Sequence, residues 1–212
     1  MSDVLKRIEE AGIIPVVVID DIKDALPLMN ALVEGGIPAA EVTFRTEAAE
    51  EALKIMIEAH PEALIGAGTI LSTEQAERAI NAGAKFIVSP GFNPSVVDYC
   101  IERNITVIPG TVTPTEIEMA LSKGLNTVKF FPAEAFGGLK MIKALSQPYN
   151  NVRFMPTGGI NKENIADYLE NDHIIACGGS YMVKKDLINA GDFEKIKELT
   201  KEAHDTVLKI RG

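Results

Sequence analysis

The feature that most constrains the fold is an alternation of short apolar, β-branched runs with amphipathic stretches along all 212 residues. Eight runs occur, and strands that are nearly wholly apolar are typical of a parallel sheet covered by helices. The predicted strands are residues 13–19, 40–44, 64–67, 86–89, 106–109, 127–131, 153–156 and 174–177. Eight strand-helix units predict one α/β domain over residues 1–212, a (β/α)8 TIM barrel. A doubly wound open sheet is the competing arrangement, but it normally places its ligand at one glycine-rich turn, whereas polar and glycine residues here follow many strands.

Amphipathic stretches lie between and beyond these strands. The predicted helices are residues 22–34, 47–59, 73–82, 95–103, 115–122, 139–145, 162–169 and 193–209. Side chains that can cap a helix precede several of them, including Ser72, Asn93, Thr113 and Asn161. An extra helix over Asp3–Ala11 precedes the first strand, and we expect it to cover the bottom of the barrel.

Composition narrows the class of partner. With a formal net charge of −9, the chain lacks the basic surface that binding to nucleic acid or an anionic membrane requires. No apolar run approaches the roughly 18 residues that cross a bilayer, the N-terminal residues lack signal-peptide features, and two cysteines are too few for a disulfide framework. We therefore expect a cytoplasmic protein that binds neither nucleic acid nor membrane.

Lys129 is a charged residue inside an apolar run, TVKFFP at 127–132. Its β-branched and aromatic neighbours predict a buried strand. Burying an ammonium ion is costly unless it is paired, and a buried amine in its neutral form is a nucleophile suited to Schiff-base chemistry. This stretch by itself equally allows a structural lysine that extends to solvent or pairs with a carboxylate.

The second predicted strand ends in polar residues, with Glu41, Thr43 and Arg45 at alternate positions. Alternation places these three side chains on one face, which points into the barrel if the intervening residues pack against helices. Two opposite charges there indicate a polar site. A structural ion pair between Glu41 and Arg45 is the alternative, because buried charges commonly occur in pairs. Lys129 on another strand of the same barrel favours the polar site.

Small residues follow other strands, at the end of the barrel where active sites lie. Gly66-Ala67-Gly68-Thr69 opens space and adds a hydroxyl group, although a plain turn capped by Ser72 accounts for the same residues. Thr157-Gly158-Gly159 and Gly178-Gly179-Ser180 end strands seven and eight, where such barrels commonly bind phosphate through backbone N–H groups. The two glycine pairs together favour a phosphate site.

The other candidate ligands and nucleophiles form no pattern. The three histidines lie far apart and no cluster has the spacing of metal ligands, so we expect no metal and no other cofactor. Cys177 lies near the predicted mouth of the barrel and is expected to pack as a small buried residue.

The motifs, in this order and over essentially the whole chain, resemble those of class I 2-keto-3-deoxy-6-phosphogluconate (KDPG) aldolases, which also act as 4-hydroxy-2-oxoglutarate (KHG) aldolases. The matching segments are Ile14-Pro15-Val16, Glu41-Val42-Thr43-Phe44-Arg45-Thr46, Gly66-Ala67-Gly68-Thr69, Ser89-Pro90-Gly91, Pro109-Gly110, Lys129-Phe130-Phe131-Pro132-Ala133-Glu134, Pro156-Thr157-Gly158-Gly159 and Gly178-Gly179-Ser180. The family usually has tryptophan after the last serine, and this chain has Tyr181. We expect that exchange to affect packing more than chemistry.

The resemblance implies a role for each motif residue. Lys129 would form the Schiff base and Glu41 would be the proton acceptor and donor. Substrate would be bound by Arg45, Thr69, Pro90 and Thr157, with Thr157 controlling stereoselectivity, and phosphate by Gly158, Gly159, Gly179 and Ser180. It further implies that a phosphorylated 2-oxo acid is cleaved to pyruvate and glyceraldehyde 3-phosphate without a cofactor, by a homotrimer.

Other functions stay open at this point. The chain could prefer the C4-epimeric phosphogalactonate compound or KHG, because only stereochemistry or the phosphate separates these substrates. A phosphosugar isomerase barrel could use Glu41 with no covalent step. A phosphate-binding barrel without catalysis and a metal-dependent aldolase are further alternatives.

Overall fold

The computed structural model describes residues 2–212, in which parallel strands alternate with helices. The eight strands are β1 Ile13–Val17, β2 Ala39–Thr43, β3 Leu64–Gly68, β4 Phe86–Val88, β5 Thr106–Ile108 continued by Gly110–Thr111, β6 Thr127–Phe130, β7 Arg153–Pro156 and β8 Cys177–Gly179. The break in β5 falls at Pro109, because proline has no N–H to donate to a neighbouring strand. Its carbonyl still accepts a hydrogen bond from the Lys129 N–H at 2.9 Å.

The strands close into a ring. β1 lies between β2 and β8, and β2 to β5 follow in chain order. The first piece of β5 pairs with β4 and the second piece pairs with β6, which in turn pairs with β7. Bridges from Phe154 to Ile174 and from Thr157 to Gly178 join β7 to the β8 side of the ring. This closure confirms the predicted (β/α)8 barrel.

Ten α-helices and two short 3-10 helices occur within residues 2–212. The α-helices are α1 Asp3–Ala11, α2 Ala25–Glu34, α3 Ala49–Ala59, α4 Thr73–Asn81, α5 Pro94–Glu102, α6 Pro114–Ser122, α7 Gly138–Ser146, α8 Ile165–Leu169, α9 Lys185–Ala190 and α10 Phe193–Arg211, and the 3-10 helices are Ile22–Asp24 and Glu134–Phe136. Ser72, Asn93 and Thr113 cap their helices as predicted. α8 begins three residues later than expected, because Asn161 Oδ1 accepts hydrogen bonds from the N–H groups of Glu163 and Asn164 and forms a turn.

The prediction for the eighth strand was wrong in its bounds. Residues 174–176 are buried, but pairing with β1 begins only at Cys177, opposite Ile13. An apolar run predicts that residues are buried, but a strand also needs the backbone of a neighbouring strand for hydrogen bonding. The apolar run at 174–177 therefore begins three residues before the paired strand. The six-residue helix α9 was missed, because so short a segment carries little periodicity.

The helix α1 covers the N-terminal ends of the strands, as predicted. Ser2 lies 3.4 Å from Thr106 at the start of β5, oxygen to oxygen, and Glu9 forms an ion pair of 2.7 Å with Arg153 at the start of β7. The opposite end of the barrel, where the strands finish, is therefore the open one. Within residues 2–212, no helix is long and apolar enough to cross a bilayer.

Candidate active site

Lys129 and Glu41 form an ion pair inside the barrel. Lys129 lies on β6 and Glu41 on β2, and Lys129 Nζ is 3.2 Å from Glu41 Oε1. Lys129 is 5 % exposed and Glu41 is fully buried. Alternation along β6 places Lys129 on the inner face and Phe130 on the outer face, where its ring packs edge-on against Phe154 at 6.4 Å. An amine and a carboxylate are thus held in contact away from solvent.

Glu41 has one oxygen engaged and one free. Its Oε2 atom is buried and has no hydrogen-bond partner among residues 2–212. Gly68 leaves the room for this carboxylate, because a Cβ atom there would collide with Glu41 Oε1. The sequence interpretation that residues 66–68 open space is therefore supported. A buried, unpaired carboxylate oxygen is suited to accept a hydrogen bond or a proton from a ligand.

Arg45 and Thr69 meet just beyond the ends of β2 and β3. Arg45 Nε donates a hydrogen bond of 3.2 Å to Thr69 Oγ1. Thr69 has φ of 58°, a left-handed conformation that is uncommon for a residue other than glycine. Within the described part of the chain, Glu41 forms its ion pair with Lys129 and not with Arg45. The alternative of a structural Glu41–Arg45 ion pair is therefore wrong. A guanidinium group at this position can bind a carboxylate.

The turn after β7 is shaped to bind an anion. Gly158 and Gly159 have φ of 96° and 83°, which favours glycine at both positions. The Gly158 carbonyl accepts from the Glu134 N–H at 3.1 Å, and the Gly159 carbonyl accepts from the side-chain amides of Asn161 and Asn164. In contrast, the N–H groups of Gly159 and Ile160 reach no protein acceptor among residues 2–212. Consecutive free N–H groups in such a turn form a typical anion-binding concavity.

A cavity of about 530 Å³ opens beside this turn. Its lining includes Arg45, Phe131, Thr157, Gly158, Gly159, Gly178, Ser180 and Lys184. The cavity reaches the buried pair through Phe131, because Lys129 Nζ lies 5.2 Å from the centre of the Phe131 ring. A guanidinium group and an anion-binding turn therefore line one space, and the buried Lys129–Glu41 pair lies next to its Phe131 wall without lining it.

Not every predicted residue lines this cavity. Thr69 lies at its edge through its contact with Arg45, and Gly179 is buried in β8. Pro90 lines a separate depression of about 390 Å³ next to Leu71. These residues stay predictions as binding residues.

Among the residues that line the cavity, Phe131, Gly178 and Lys184 were given no binding role of their own in the sequence analysis. Phe131 lies two positions after Lys129, so alternation could have placed it on the same face. Gly178 directly precedes Gly179, which was predicted to bind phosphate. The predicted strand ended at Cys177, whereas β8 extends to Gly179, and this shift accounts for the choice of the neighbouring glycine. Lys184 carried no local signal, because its position depends on the turn before the unpredicted helix α9.

The buried thiol and phenol groups near the barrel stay protonated. Burial raises the pKa of Cys177 to about 12 and that of Tyr181 to about 12. Cys177 is fully buried, in agreement with its expected packing role. Neither group supplies a nucleophile at neutral pH, so Lys129 stays the candidate nucleophile and Glu41 the candidate base of this site. Among residues 2–212, no group of three or more His, Cys, Asp or Glu side chains is arranged to hold a metal ion.

Comparison with known proteins gives a consistent result over the whole barrel. The family model described as KDPG and KHG aldolase matches residues 4–199. The chain is 48 % identical over 202 residues to the 2-dehydro-3-deoxy-phosphogluconate aldolase of Treponema pallidum, covering 95 % of this chain and 96 % of that protein. It is 41 % identical over 191 residues to the KHG/KDPG aldolase of Escherichia coli, covering 90 % of each.

A solved structure agrees with the fold. The KDPG aldolase of Legionella pneumophila, with pyruvate captured as a covalent carbinolamine intermediate, superimposes with a TM-score of 0.91 at 39 % identity. The alignment covers 94 % of this chain and 97 % of that structure. With the family match, the two relatives and a buried lysine facing a carboxylate, the chain belongs to the KDPG and KHG aldolase family.

Proposed function

We propose that this chain is a class I aldolase that cleaves 2-dehydro-3-deoxy-6-phosphogluconate, the compound KDPG, to pyruvate and glyceraldehyde 3-phosphate. The same site would cleave KHG to pyruvate and glyoxylate. The observation that carries the proposal is the buried contact of 3.2 Å between Lys129 Nζ and Glu41 Oε1, next to the open end of the barrel. An amine with an adjacent base is the arrangement that covalent catalysis on a carbonyl requires.

The reaction follows from these two side chains. Lys129 attacks the C2 carbonyl as a free amine, so its proton must first leave, and Glu41 is the acceptor in contact. Glu41 returns this proton to the hydroxyl group of the carbinolamine, which leaves as water, so that a positively charged iminium and an ionised Glu41 remain. Glu41 then takes the proton of the C4 hydroxyl group, the C3–C4 bond breaks, and its electron pair moves to the nitrogen as an enamine. The aldehyde leaves, Glu41 returns a proton to C3, and hydrolysis frees pyruvate and Lys129.

The two ends of the substrate would be bound by different groups. Arg45 and Thr69 would hold the carboxylate of the oxo acid, for which a guanidinium fork is suited. Thr157 would define which face of the aldehyde is presented. The N–H groups of the Gly158-Gly159 turn, with Gly179 and Ser180, would hold the phosphate.

The test is covalent trapping. The protein is incubated with pyruvate and borohydride, and the modified peptide is identified by mass spectrometry. We expect a reduced pyruvate adduct on Lys129, because borohydride reduces the iminium to a stable amine. Absence of an adduct on Lys129 would instead favour an isomerase barrel without a covalent step. Loss of activity in a strong chelator would contradict the cofactor-free mechanism.

The substrate is tested by kcat/KM on KDPG, its galactonate epimer and KHG. We expect KDPG to be preferred, because the anion-binding turn is suited to a phosphate and the resemblance of the motifs is to KDPG aldolases. A marked preference for the galactonate epimer would overturn the choice of substrate while leaving the Schiff-base chemistry in place.

Lys184 is expected to strengthen phosphate binding. It lines the cavity together with the turn and Ser180, and it forms no ion pair within residues 2–212, whereas Lys185 is paired with Asp20 at 2.8 Å. In a chain of net charge −9, a local cation offsets repulsion of an anionic substrate. We expect Lys184→Gln to raise KM for KDPG roughly 5- to 10-fold, with a smaller effect at high salt. The control for net charge is Lys201→Gln, which removes an exposed lysine that is paired with Asp205 on α10. Equal KM values for KDPG in the two variants would contradict the role of Lys184 in phosphate binding.

The homotrimer is proposed on the resemblance and on exposed apolar side chains. Phe136 and Met141, which are 48 % and 39 % exposed, lie close in sequence at the start of α7, and exposed apolar groups of this size are common at subunit contacts. Light scattering after size exclusion is expected to give three times the chain mass of 22.9 kDa. A mass of one or two chains would contradict it.

A further inference from the structure

Glu134 and Tyr168 form a hydrogen-bonded pair behind the anion-binding turn. Tyr168 lies on α8 and is only 2 % exposed, and its hydroxyl group donates to Glu134 Oε1. Burial, followed by the neighbouring carboxylate, raises the pKa of Tyr168 above its usual range. The phenol therefore remains a hydrogen-bond donor at neutral pH.

Glu134 is in close contact with the glycines of the turn. Its N–H donates to the Gly158 carbonyl at 3.1 Å. A Cβ atom on Gly159 would come within 2.6 Å of the Glu134 Cβ atom, so no larger residue fits there without displacing Glu134. A Cβ atom on Gly138 would come within 2.6 Å of Glu134 Oε1 and 2.7 Å of the Tyr168 hydroxyl oxygen. The carboxylate is thus confined between Gly138, Gly159 and Tyr168.

The opposite side of the turn is held by two amides. Asn161 Nδ2 and Asn164 Nδ2 donate to the Gly159 carbonyl at 3.2 and 3.0 Å. With the Gly158 carbonyl bound by Glu134, both carbonyl groups of the turn are engaged by protein. The Gly159 and Ile160 N–H groups are the ones left for a ligand, so the orientation of these peptides decides how well they bind an anion.

We infer that the Glu134–Tyr168 pair positions the turn at residues 158–159 and thereby sets affinity for the phosphate of the substrate. This inference rests on the proposed function of the site. Neither side chain lines the cavity, so both are positioning residues that act through the backbone of the turn. A carboxylate beside a phosphate site would by itself repel the ligand, and the hydrogen bond from Tyr168 fixes that charge next to Gly138.

The inference predicts an effect that depends on the substrate. KDPG carries the phosphate, whereas KHG has none, and both react at the same Lys129. Displacing the turn would therefore weaken binding of one substrate and leave the chemistry of both unchanged. A general loss of structure would instead lower activity on both.

The experiment compares Tyr168→Phe with the unmodified protein by kcat and KM on KDPG and on KHG. We expect KM for KDPG to rise roughly tenfold, while kcat on KDPG and both parameters on KHG change less than about twofold. Glu134→Gln, which keeps the shape and removes the charge, is expected to shift the same parameter in the same direction and provides a second variant should Tyr168→Phe fold poorly. Tyr149→Phe is the matched control, because it removes the hydroxyl group of another tyrosine that contacts a glutamate, Glu118 at 2.9 Å, and because Tyr149 precedes β7 whereas the turn follows it.

The outcomes separate this inference from the proposed function. If the unmodified protein cleaves both substrates and Lys129 is trapped with pyruvate, but Tyr168→Phe alters KDPG and KHG equally or neither at all, the positioning role is wrong and the aldolase assignment stands. If the unmodified protein shows no pyruvate adduct and no cleavage, the proposed function itself fails.

Discussion

A Lys129→Ala variant is expected to lose at least about 10⁴-fold in kcat on KDPG, because removing a covalent nucleophile eliminates the pathway through the iminium. Steady-state kinetics with coupled detection of pyruvate measure the loss, and borohydride with pyruvate should leave this variant unmodified. Residual cleavage within tenfold of the unmodified protein would contradict the role of Lys129 as nucleophile.

A control is needed for the fold of that variant, because its loss of charge leaves Glu41 buried and unpaired. Breaking a buried ion pair by removing one partner costs about 3–5 kcal/mol. We expect Lys129→Met to lower the free energy of unfolding by an amount of this order, and Lys129→Met/Glu41→Gln to recover most of it, because no buried charge then lacks a partner. The double variant should be folded and inactive, which would separate lost chemistry from lost stability.

A Glu41→Gln variant is expected to lose roughly 10²- to 10⁴-fold in kcat, the range typical of a removed general acid-base. The amide matches the carboxylate in size, so it fits the space left by Gly68, and it can still accept a hydrogen bond from Lys129 through its oxygen. It cannot accept the proton of the C4 hydroxyl group. Trapping of pyruvate on Lys129 should be slower in this variant but still go to completion, because the amine is intact and can lose its proton to water, while cleavage of KDPG should be slow.

The matched control for Glu41→Gln is Glu50→Gln, which removes a carboxylate paired on the surface with Lys54 and Arg78 at 3.0 and 2.7 Å. Exposed pairs contribute about 0–1 kcal/mol to stability, so this variant should be folded and fully active. Undiminished kcat in Glu41→Gln would contradict the role of Glu41 as the general acid-base.

Local sequence patterns were sufficient to predict the barrel and the burial of Lys129 and Glu41. The residues around Lys129 predict a buried amine, because a short run of apolar residues is typical of a buried strand. The alternation of Glu41, Thr43 and Arg45 likewise predicts a polar inner face on β2, and turn chemistry predicts the anion-binding character of residues 158–159. The eight strand-helix units then predict a closed parallel sheet, and the strands of the structure form one.

Pairing across the barrel could not be derived from those patterns. Whether Glu41 pairs with Arg45 or with Lys129 depends on which strands face each other, and the two partners in contact are 88 residues apart in sequence. The same limit applies to Lys184, whose place at the cavity depends on the path of the chain after β8. It also applies to the Glu134–Tyr168 pair, which joins a 3-10 helix to α8.

The sequence by itself determined which side chains are buried, which are polar and which residues adopt turn conformations, because these properties follow from local periodicity and from the turn residues. Only the tertiary structure decided their partners: the carboxylate at Lys129, the hydroxyl group at Arg45, and the contacts that hold the turn at Gly158 and Gly159. The physical reason is that a contact between distant segments is set by the closure and register of the whole sheet, to which every strand contributes.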